Sequence, residues 1–180
     1  MPLDFHQVDA FTDQPFAGNP AMVYRLDTWL DEALMQRIAA EHNLAETAFV
    51  VKEGEVWHIR WFTPSSEVPL CGHATLASAK VLFDLYHEAG DVLQFTCKSG
   101  ALRVTRQGER LELDFPVRPL VPVAAALQAD VERALDQPAQ QVLALLNADG
   151  SVQELMVVLA SEAQVRGFTP DLPALVALPG

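Results

Sequence analysis

The sequence has few basic residues for its length, and this scarcity excludes several kinds of partner. Twelve lysines and arginines stand against 24 aspartates and glutamates, which gives a formal net charge of −12. Without a basic patch to offset phosphate repulsion, we expect no binding to nucleic acid or to an anionic membrane surface. The acidic residues are scattered along the chain, so we interpret them as a solubilising surface.

Long apolar runs and cysteines are also scarce. Half of the 180 residues are hydrophobic, yet no uninterrupted apolar stretch approaches the ~18 residues of a membrane span. The first residues, MPLDFHQVDAF, lack the basic and apolar regions of a signal peptide. The two cysteines and five histidines show neither disulfide nor metal-ligand spacing. We therefore predict a soluble, cytoplasmic protein of one or two domains without a metal.

A first helix is predicted within DTWLDEALMQRIAAEHN. Apolar residues recur in this segment at the spacing of one helix face, at Leu30, Leu34 and Ile38. Thr28 is the predicted N-cap, with Asp31 in the capping-box position three residues later. Asn43 is the predicted left-handed end of the helix.

Strand-like segments before and after this helix predict a sheet. They are LDFHQVDAF, AMVYRL, ETAFVV and EVWHIRWF, followed by a three-stranded meander within VLQFTCKSGALRVTRQGERLELDFPV. The segment ATLASAKVLFDLY is apolar or small nearly all round, which indicates a helix enclosed by other structure. Residues 1–115 therefore predict an α+β fold, a mostly antiparallel sheet with two helices, one of them wrapped by the sheet.

The pattern restarts after FPVRPLVP, which is proline-rich and typical of a linker. A helix is predicted in VAAALQADVERALDQ, a hairpin in QVLALLN and VQELMVVL around ADGS, and a short helix in PDLPALVALPG. These few elements would leave open sheet edges unless something else covers them. We therefore predict two domains, 1–117 and 118–180, of which the second is incomplete.

Cys71, Gly72 and His73 stand directly before the enclosed helix. The first turn of a helix presents unpaired backbone N–H groups and the positive end of the dipole. Gly72 allows close approach to the backbone and His73 adds a donor that titrates near neutral pH, so the pair suits a bound carboxylate. The alternative is that Gly72 makes a tight turn and His73 caps the helix. Cys71 is either a small buried hydrophobe or a thiolate activated by the helix N-terminus.

Glu46 is the only charged residue between the end of the first helix and Lys52. A carboxylate held at the edge of an apolar core is desolvated, and desolvation raises a carboxyl pKa toward neutrality. Such a group suits the removal and return of a proton. The alternative is a turn carboxylate that accepts hydrogen bonds from nearby amides.

The segment AGNPA has a plain interpretation of its own. Gly18 permits a sharp bend, Asn19 offers side-chain hydrogen bonds and Pro20 ends the bend. Taken alone, these residues predict a turn.

Four motifs in order resemble the PhzF-like phenazine-biosynthesis proteins. The motifs are VDAFTDQPFAGNPAMV, NLAETAFV, IRWFTPSSEVPLCGHATLA and LDFP, and they extend over residues 8–116. That family shares the fold group of diaminopimelate epimerase and proline racemase. The resemblance implies a diaminopimelate epimerase-like α+β fold, in which each half wraps a mixed sheet around a central helix and the helix starts face the active site.

The resemblance also implies roles for single residues. Glu46 matches the family's proton-moving glutamate, and His73 beside Gly72 matches its substrate-positioning histidine. Asn19 is similar to an asparagine near the family's cleft. We therefore predict an isomerase without metal or organic cofactor that shifts a proton on a small cyclic or amino-acid-like carboxylate. Relatives of full length tend to dimerise, so a homodimer is expected.

Two alternatives stay open. The racemase branch of the fold uses a pair of cysteine thiols, and Cys71 permits this chemistry, although Cys97 in the meander is poorly placed as its partner. Family members also continue past position 180 with an acidic-Pro-Val-Thr-Gly-Ser-Ala-His stretch that this sequence lacks. The second unit is therefore expected to be truncated, and a non-catalytic half-fold is the other alternative.

Overall fold

The computed structural model describes residues 3–180. Residues 1–2, which belong to the N-terminal segment that we predicted not to be a signal peptide, lie outside the described range. The chain divides into two compact units, Met1–Pro116 and Val117–Gly180. The interpretation of the second unit as the beginning of a truncated epimerase-like domain stays a prediction. Across the described range, no helix has both the length and the apolar character that crossing a membrane requires.

The first unit is built on one sheet and two helices. The helices are α1 (Glu32–His42) and α2 (Gly72–Asp84), and the strands are β1 (His6–Ala10), β2 (Asn19–Leu26), β3 (Glu46–Glu53), β4 (Val56–Phe62), β5 (Glu67–Val68), β6 (Val92–Cys97), β7 (Gly100–Gln107) and β8 (Arg110–Asp114). The strand order is β1-β2-β3-β4-β6-β7-β8, with β5 beside β4. Only the β2/β3 and β4/β6 pairs are parallel among these strands. This confirms the predicted α+β class, the mostly antiparallel sheet and the meander.

Helix α2 is enclosed by the sheet, as its composition predicts. Nine of its residues are buried, and the six apolar ones form one core with the inward-facing residues of β2, β3, β4, β6 and β7. Many of the buried helix residues are small, so the strands can approach the helix closely. The two hydroxyls among them are satisfied within the helix, because Thr75 donates to the Cys71 carbonyl at 2.5 Å and Ser78 to the Ala74 carbonyl at 2.7 Å.

Helix α1 packs on the opposite face of the sheet. Its buried residues are Met35 and Ala39, which join a second core cluster with Phe49 and other outward-facing strand residues. The predicted face is therefore shifted by one position, because Leu34 and Ile38 lie at its margin and are only partly buried.

The predicted start of α1 is wrong, and its predicted end is confirmed. Asp31, not Thr28, is the N-cap, and its side chain accepts a hydrogen bond from the Ala33 amide at 3.0 Å. A carboxylate at this position also interacts favourably with the helix dipole, which a threonine hydroxyl does not. Asn43 has the left-handed conformation (φ 50°, ψ 34°) expected at the helix end.

The second unit contains a small sheet and three helices. Its elements are β9 (Val121–Pro122), α3 (Ala125–Leu135), β10 (Gln141–Leu146), β11 (Val152–Val158), α4 (Glu162–Gly167) and α5 (Leu172–Val176), and the strand order is β11-β10-β9. The predicted helix, hairpin and C-terminal helix are confirmed. The linker prediction is partly wrong, because β9 lies within it as an edge strand, where a proline is tolerated. Helix α4 was not predicted, since six residues are too few for a periodic pattern.

Candidate active site

Glu46 and His73 meet at the N-terminus of the enclosed helix. Glu46 is the first residue of β3. Because side chains alternate along a strand, it lies on the same face of the sheet as Ala48 and Val50, which pack into the core around α2. His73 is the second residue of α2 and is 7% exposed. Glu46 Oε2 lies 3.3 Å from His73 Nε2, and the two side chains are 19% and 8% exposed. The sheet register and the helix start therefore bring together a carboxylate and an imidazole that are far apart in sequence.

The imidazole nitrogen in this contact is not fully satisfied. His73 Nε2 is buried and has no aligned hydrogen-bond partner among the described residues, although it lies at ion-pair distance from Glu46. A buried polar atom without a hydrogen bond costs free energy, and the first turn of α2 adds unpaired backbone N–H groups nearby. The position therefore favours an oxygen-bearing group that accepts from Nε2 and from the helix start.

Cys71 is the third member of this group, which we name the Glu46–Cys71–His73 cluster. It is the N-cap of α2 with extended backbone (φ −147°, ψ 120°), and its Sγ lies 3.5 Å from His73 Nδ1. Burial raises the pKa of the Cys71 thiol to about 12, opposed by the backbone amide of Ala74 and reinforced by the charge of Glu46. The thiol is therefore protonated at neutral pH, and the thiolate alternative considered from sequence lacks the lowered pKa that it requires.

The three residues have the donor atoms of a metal site, but their present contacts use both nitrogens of the imidazole. One potential ligand atom from each residue lies within 4.8 Å of the others. However, His73 presents Nδ1 to the Cys71 sulfur and Nε2 to the Glu46 carboxylate. A single ion binds one nitrogen of an imidazole, so it would keep only one of these two contacts. We therefore assign these residues no metal-ligand role.

Asn19 lies on the same sheet face as the cluster. It opens β2, opposite Ala10, and two residues further along the strand Ala21 is paired with Glu46. Because side chains alternate along a strand, Asn19, Ala21 and Glu46 share the inward face. The plain interpretation of AGNPA as a turn is wrong for Asn19 and Pro20, which are strand residues. The left-handed backbone that the bend requires ends at Gly18 (φ +78°).

Phe115 covers Gly72 at the start of the helix. A Cβ atom placed on Gly72 would lie 2.8 Å from Cε2 and 2.9 Å from Cζ of Phe115, whose side chain is 40% exposed. An aromatic ring therefore packs closely against Gly72, and the substrate-binding role of Gly72 stays a prediction. Phe115 belongs to the LDFP motif, to which the sequence assigned no role. It follows the last residue of β8, so the alternation of side chains along that strand could not have predicted this contact.

Two surface grooves of the first unit do not include the cluster. One has a volume of about 370 Å³ and the other about 390 Å³. The first groove is lined by residues 3–6 together with Leu85 and Tyr86. The second is lined mainly by residues of β6 and β7 and by the residues that follow β8. Glu46, Cys71 and His73 line neither groove, so their chemistry rather than a cavity identifies the site.

Three comparisons with known proteins agree with one another. A family model described as phenazine biosynthesis-like protein (PhzC-PhzF) matches residues 8–179. An uncharacterized isomerase of Pseudomonas aeruginosa is 58% identical over 179 residues, covering 99% of this chain and 66% of that protein. The crystal structure of a PhzF-family phenazine biosynthesis protein of Enterococcus faecalis has a TM-score of 0.83 and 46% identity, covering 99% of this chain and 65% of that one. The chain therefore spans just under two thirds of the length of these relatives.

A more distant structure extends the likeness of fold. A predicted epimerase of Pseudomonas aeruginosa has a TM-score of 0.69 at 23% identity, covering 92% of this chain and 62% of that one. At this identity the comparison shows the fold alone. Together with the curled sheet around α2, it confirms the epimerase-like α+β fold predicted from the sequence motifs.

Proposed function

This chain belongs to the phenazine biosynthesis-like protein family, and on that basis we propose that it is an isomerase in which Glu46 moves a proton between carbons of its substrate. The observation that carries this proposal is the 3.3 Å contact between Glu46 Oε2 and His73 Nε2 at the buried start of α2. In a proton-shift isomerisation one carboxylate takes a proton from one carbon and returns it to another. Such a reaction involves no net oxidation, and we propose that it proceeds without a metal or organic cofactor.

We propose that the substrate is a small cyclic or amino-acid-like carboxylate. Its carboxylate would accept hydrogen bonds from the first backbone amides of α2, beside Gly72, and from His73. Asn19, on the same sheet face as Glu46, would orient a polar group of the substrate. Because negative charge increases on the substrate as the proton leaves, donors fixed in a water-poor site stabilise the transition state more than the ground state.

The setting proposed for this reaction is a cytoplasmic homodimer. The acidic surface and the scarcity of basic residues favour small-molecule over nucleic-acid partners. These features of the whole protein are proposals, since the chain spans 66% of its isomerase relative.

No observation favours the thiol-dependent racemase. The chain has two cysteines, and the second, Cys97, lies on β6, where its Sγ donates to the Gly100 carbonyl at 3.3 Å. Burial raises the pKa of the Cys71 thiol to about 12, whereas a thiol base must ionise near neutral pH. Cys97 is therefore not placed as the partner of Cys71 in a two-thiol mechanism, and Cys71 itself is not ionised at neutral pH.

The proposal is tested by proton exchange with solvent. The protein is incubated in D₂O with a panel of amino acids and unsaturated cyclic carboxylates, and deuterium incorporation at carbon is measured by mass spectrometry. We expect incorporation into at least one compound, and a loss of about 10²–10⁴-fold in rate on Glu46→Gln. Incorporation at the wild-type rate by Glu46→Gln would refute the role of Glu46, and a wild-type protein that labels nothing would count against this substrate class.

Strand β3 offers a matched control. Glu53, at the other end of the strand, also lies near a histidine, with its Oε2 3.4 Å from His58 Nε2, but both side chains are far more exposed. Glu53→Gln should therefore leave the exchange rate unchanged. A similar loss in both variants would indicate a general effect of removing a carboxylate from β3 rather than catalysis by Glu46.

A further inference from the structure

We propose that the Cys71 thiol is a positioning residue that fixes the tautomer of His73. In this arrangement the thiol donates its hydrogen to Nδ1, and the single proton of the neutral imidazole is held on Nε2, the nitrogen that lies 3.3 Å from Glu46 Oε2. The inference concerns His73 itself and does not depend on whether Glu46 moves a proton.

The geometry of the cluster supports this direction of donation. Cys71 Sγ lies 3.5 Å from His73 Nδ1, within the range of a sulfur hydrogen bond, and both residues are 7% exposed. Water competes little for a hydrogen bond between two such buried groups. The nitrogen of a histidine that carries the proton is set by the hydrogen bond that the other nitrogen makes.

The thiol is suited to be the donor in this pair. Burial raises its pKa to about 12, and the Glu46 charge acts in the same direction, so the sulfur keeps its hydrogen at neutral pH. Cys71 Sγ makes no capping hydrogen bond with the helix backbone, and His73 Nδ1 is the side-chain atom at hydrogen-bond distance from it.

The competing acceptor for this hydrogen is the Glu46 carboxylate. If the thiol donated there, the proton of His73 would have to sit on Nδ1 to satisfy the contact with sulfur. Nε2 would then present a lone pair to Glu46 Oε2 at 3.3 Å, an unfavourable contact between two acceptors. Donation to Nδ1 avoids this, because the atom 3.3 Å from the carboxylate oxygen is then a protonated Nε2 and not a lone pair, even though the two are not aligned as a hydrogen bond.

Nitrogen NMR of the imidazole tests the proposal without any substrate. The full chain is labelled with ¹⁵N, the five histidine rings are observed at a pH where they are neutral, and His73 is assigned from the spectrum of His73→Asn. We expect the wild-type ring to carry its proton on Nε2. A proton mainly on Nδ1, or equal populations of the two tautomers, would overturn the proposal.

Variants separate the thiol from the carboxylate, since both favour the same tautomer. In Glu46→Ala the thiol remains, and we expect the proton to stay on Nε2. Adding Cys71→Ala should lower the Nε2–H to Nδ1–H ratio by about 3- to 10-fold, the effect of one neutral hydrogen bond. Adding Cys71→Ser instead should preserve the ratio, because a hydroxyl is also a donor.

Cys97 gives the control for thiol removal as such. Its sulfur contacts a carbonyl on the meander, so Cys97→Ala in the Glu46→Ala background should leave the His73 ratio unchanged. If Glu46→Ala alone moves the proton to Nδ1, the carboxylate and not the thiol sets the tautomer. That result would overturn this inference and leave the proposed isomerase reaction untouched.

Discussion

Replacing Gly72 with alanine measures how closely the Phe115 ring packs over the start of α2. The added Cβ would lie 2.8 Å from Cε2 of Phe115, whereas ordinary contact begins at 3.4 Å. The ring or the helix start therefore has to move by about 0.6 Å to restore ordinary contact. The substitution changes one methyl group at a position where the backbone tolerates it, since Gly72 does not have the positive φ that disfavours alanine.

Two opposing effects determine the change in the free energy of unfolding. Overpacking of a formed contact costs about 1–3 kcal/mol, and the lower value applies here because the ring of Phe115 is 40% exposed and has room to move. Replacing glycine by alanine where the backbone permits it stabilises by about 0.4–1 kcal/mol through the unfolded chain. We therefore expect Gly72→Ala to be neutral or slightly destabilising in the wild type. In a Phe115→Ala background it should be stabilising.

The assay is urea unfolding followed by tryptophan fluorescence. The three tryptophans, Trp29, Trp57 and Trp61, all lie in the first unit, so the signal reports the unit that contains Gly72. We expect a coupling of about 1 kcal/mol or more between Gly72→Ala and Phe115→Ala. Equal effects of Gly72→Ala in both backgrounds, within about 0.3–0.5 kcal/mol, would refute the packing argument.

A second glycine provides the control for helix propensity. Gly167 ends α4, and a Cβ placed there meets no atom within 4 Å. Gly167→Ala should therefore show no coupling to Phe115→Ala. Because its unit contains no tryptophan, its own effect is followed by far-ultraviolet circular dichroism.

Two further predictions concern stability. An unfolded thiol ionises near pH 9, whereas the folded chain keeps the Cys71 proton up to about pH 12. Between these pH values the free energy of unfolding of the wild type, measured by urea titration, should fall by about 1.4 kcal/mol per pH unit relative to that of Cys71→Ser. The same pH dependence in both proteins would contradict a buried neutral thiol. Arg60→Met removes hydrogen bonds to Glu67 at 2.8 and 2.7 Å and to Glu32 at 2.5 Å and should cost about 1–3 kcal/mol. Arg133→Met, at an exposed ion pair, should cost less than about 1 kcal/mol, and equal losses would show that the Arg60 network adds nothing.

The fold of the first unit was predictable because its sequence patterns agree with its packing. In β4, Trp57, Ile59 and Trp61 alternate with polar residues and are buried, and Phe62 at the end of the strand is buried on the other face. Helix α2 has no polar face in its sequence, so other structure was expected to surround it on all sides. Each pattern is local and strong, so it can be interpreted correctly without knowledge of the neighbouring strands.

The contacts within the site were less predictable because they depend on register. The pairing of Ala21 with Glu46 sets where β3 begins relative to β2, and no local signal fixes a parallel register between distant segments. The approach of Glu46 to His73 and Cys71 follows from that register, whereas the contact of Cys71 with His73, two residues away, is local. Sequence spacing alone therefore left Cys71 as either a core residue or a thiolate, and did not indicate a neutral hydrogen-bond donor.

The two ends of β3 show which property distinguishes the proposed site. Glu46 with His73 and Glu53 with His58 are the same residue types at nearly the same separation, 3.3 and 3.4 Å. The first pair is 19% and 8% exposed, the second 60% and 35%. Water screens the exposed pair, while the enclosed pair interacts at lower dielectric. The chemistry proposed for Glu46 therefore depends on the burial that α2 provides. A substitution that opens a cavity beneath His73 and admits water should lower the rate of proton exchange, although Glu46 and His73 themselves are unchanged.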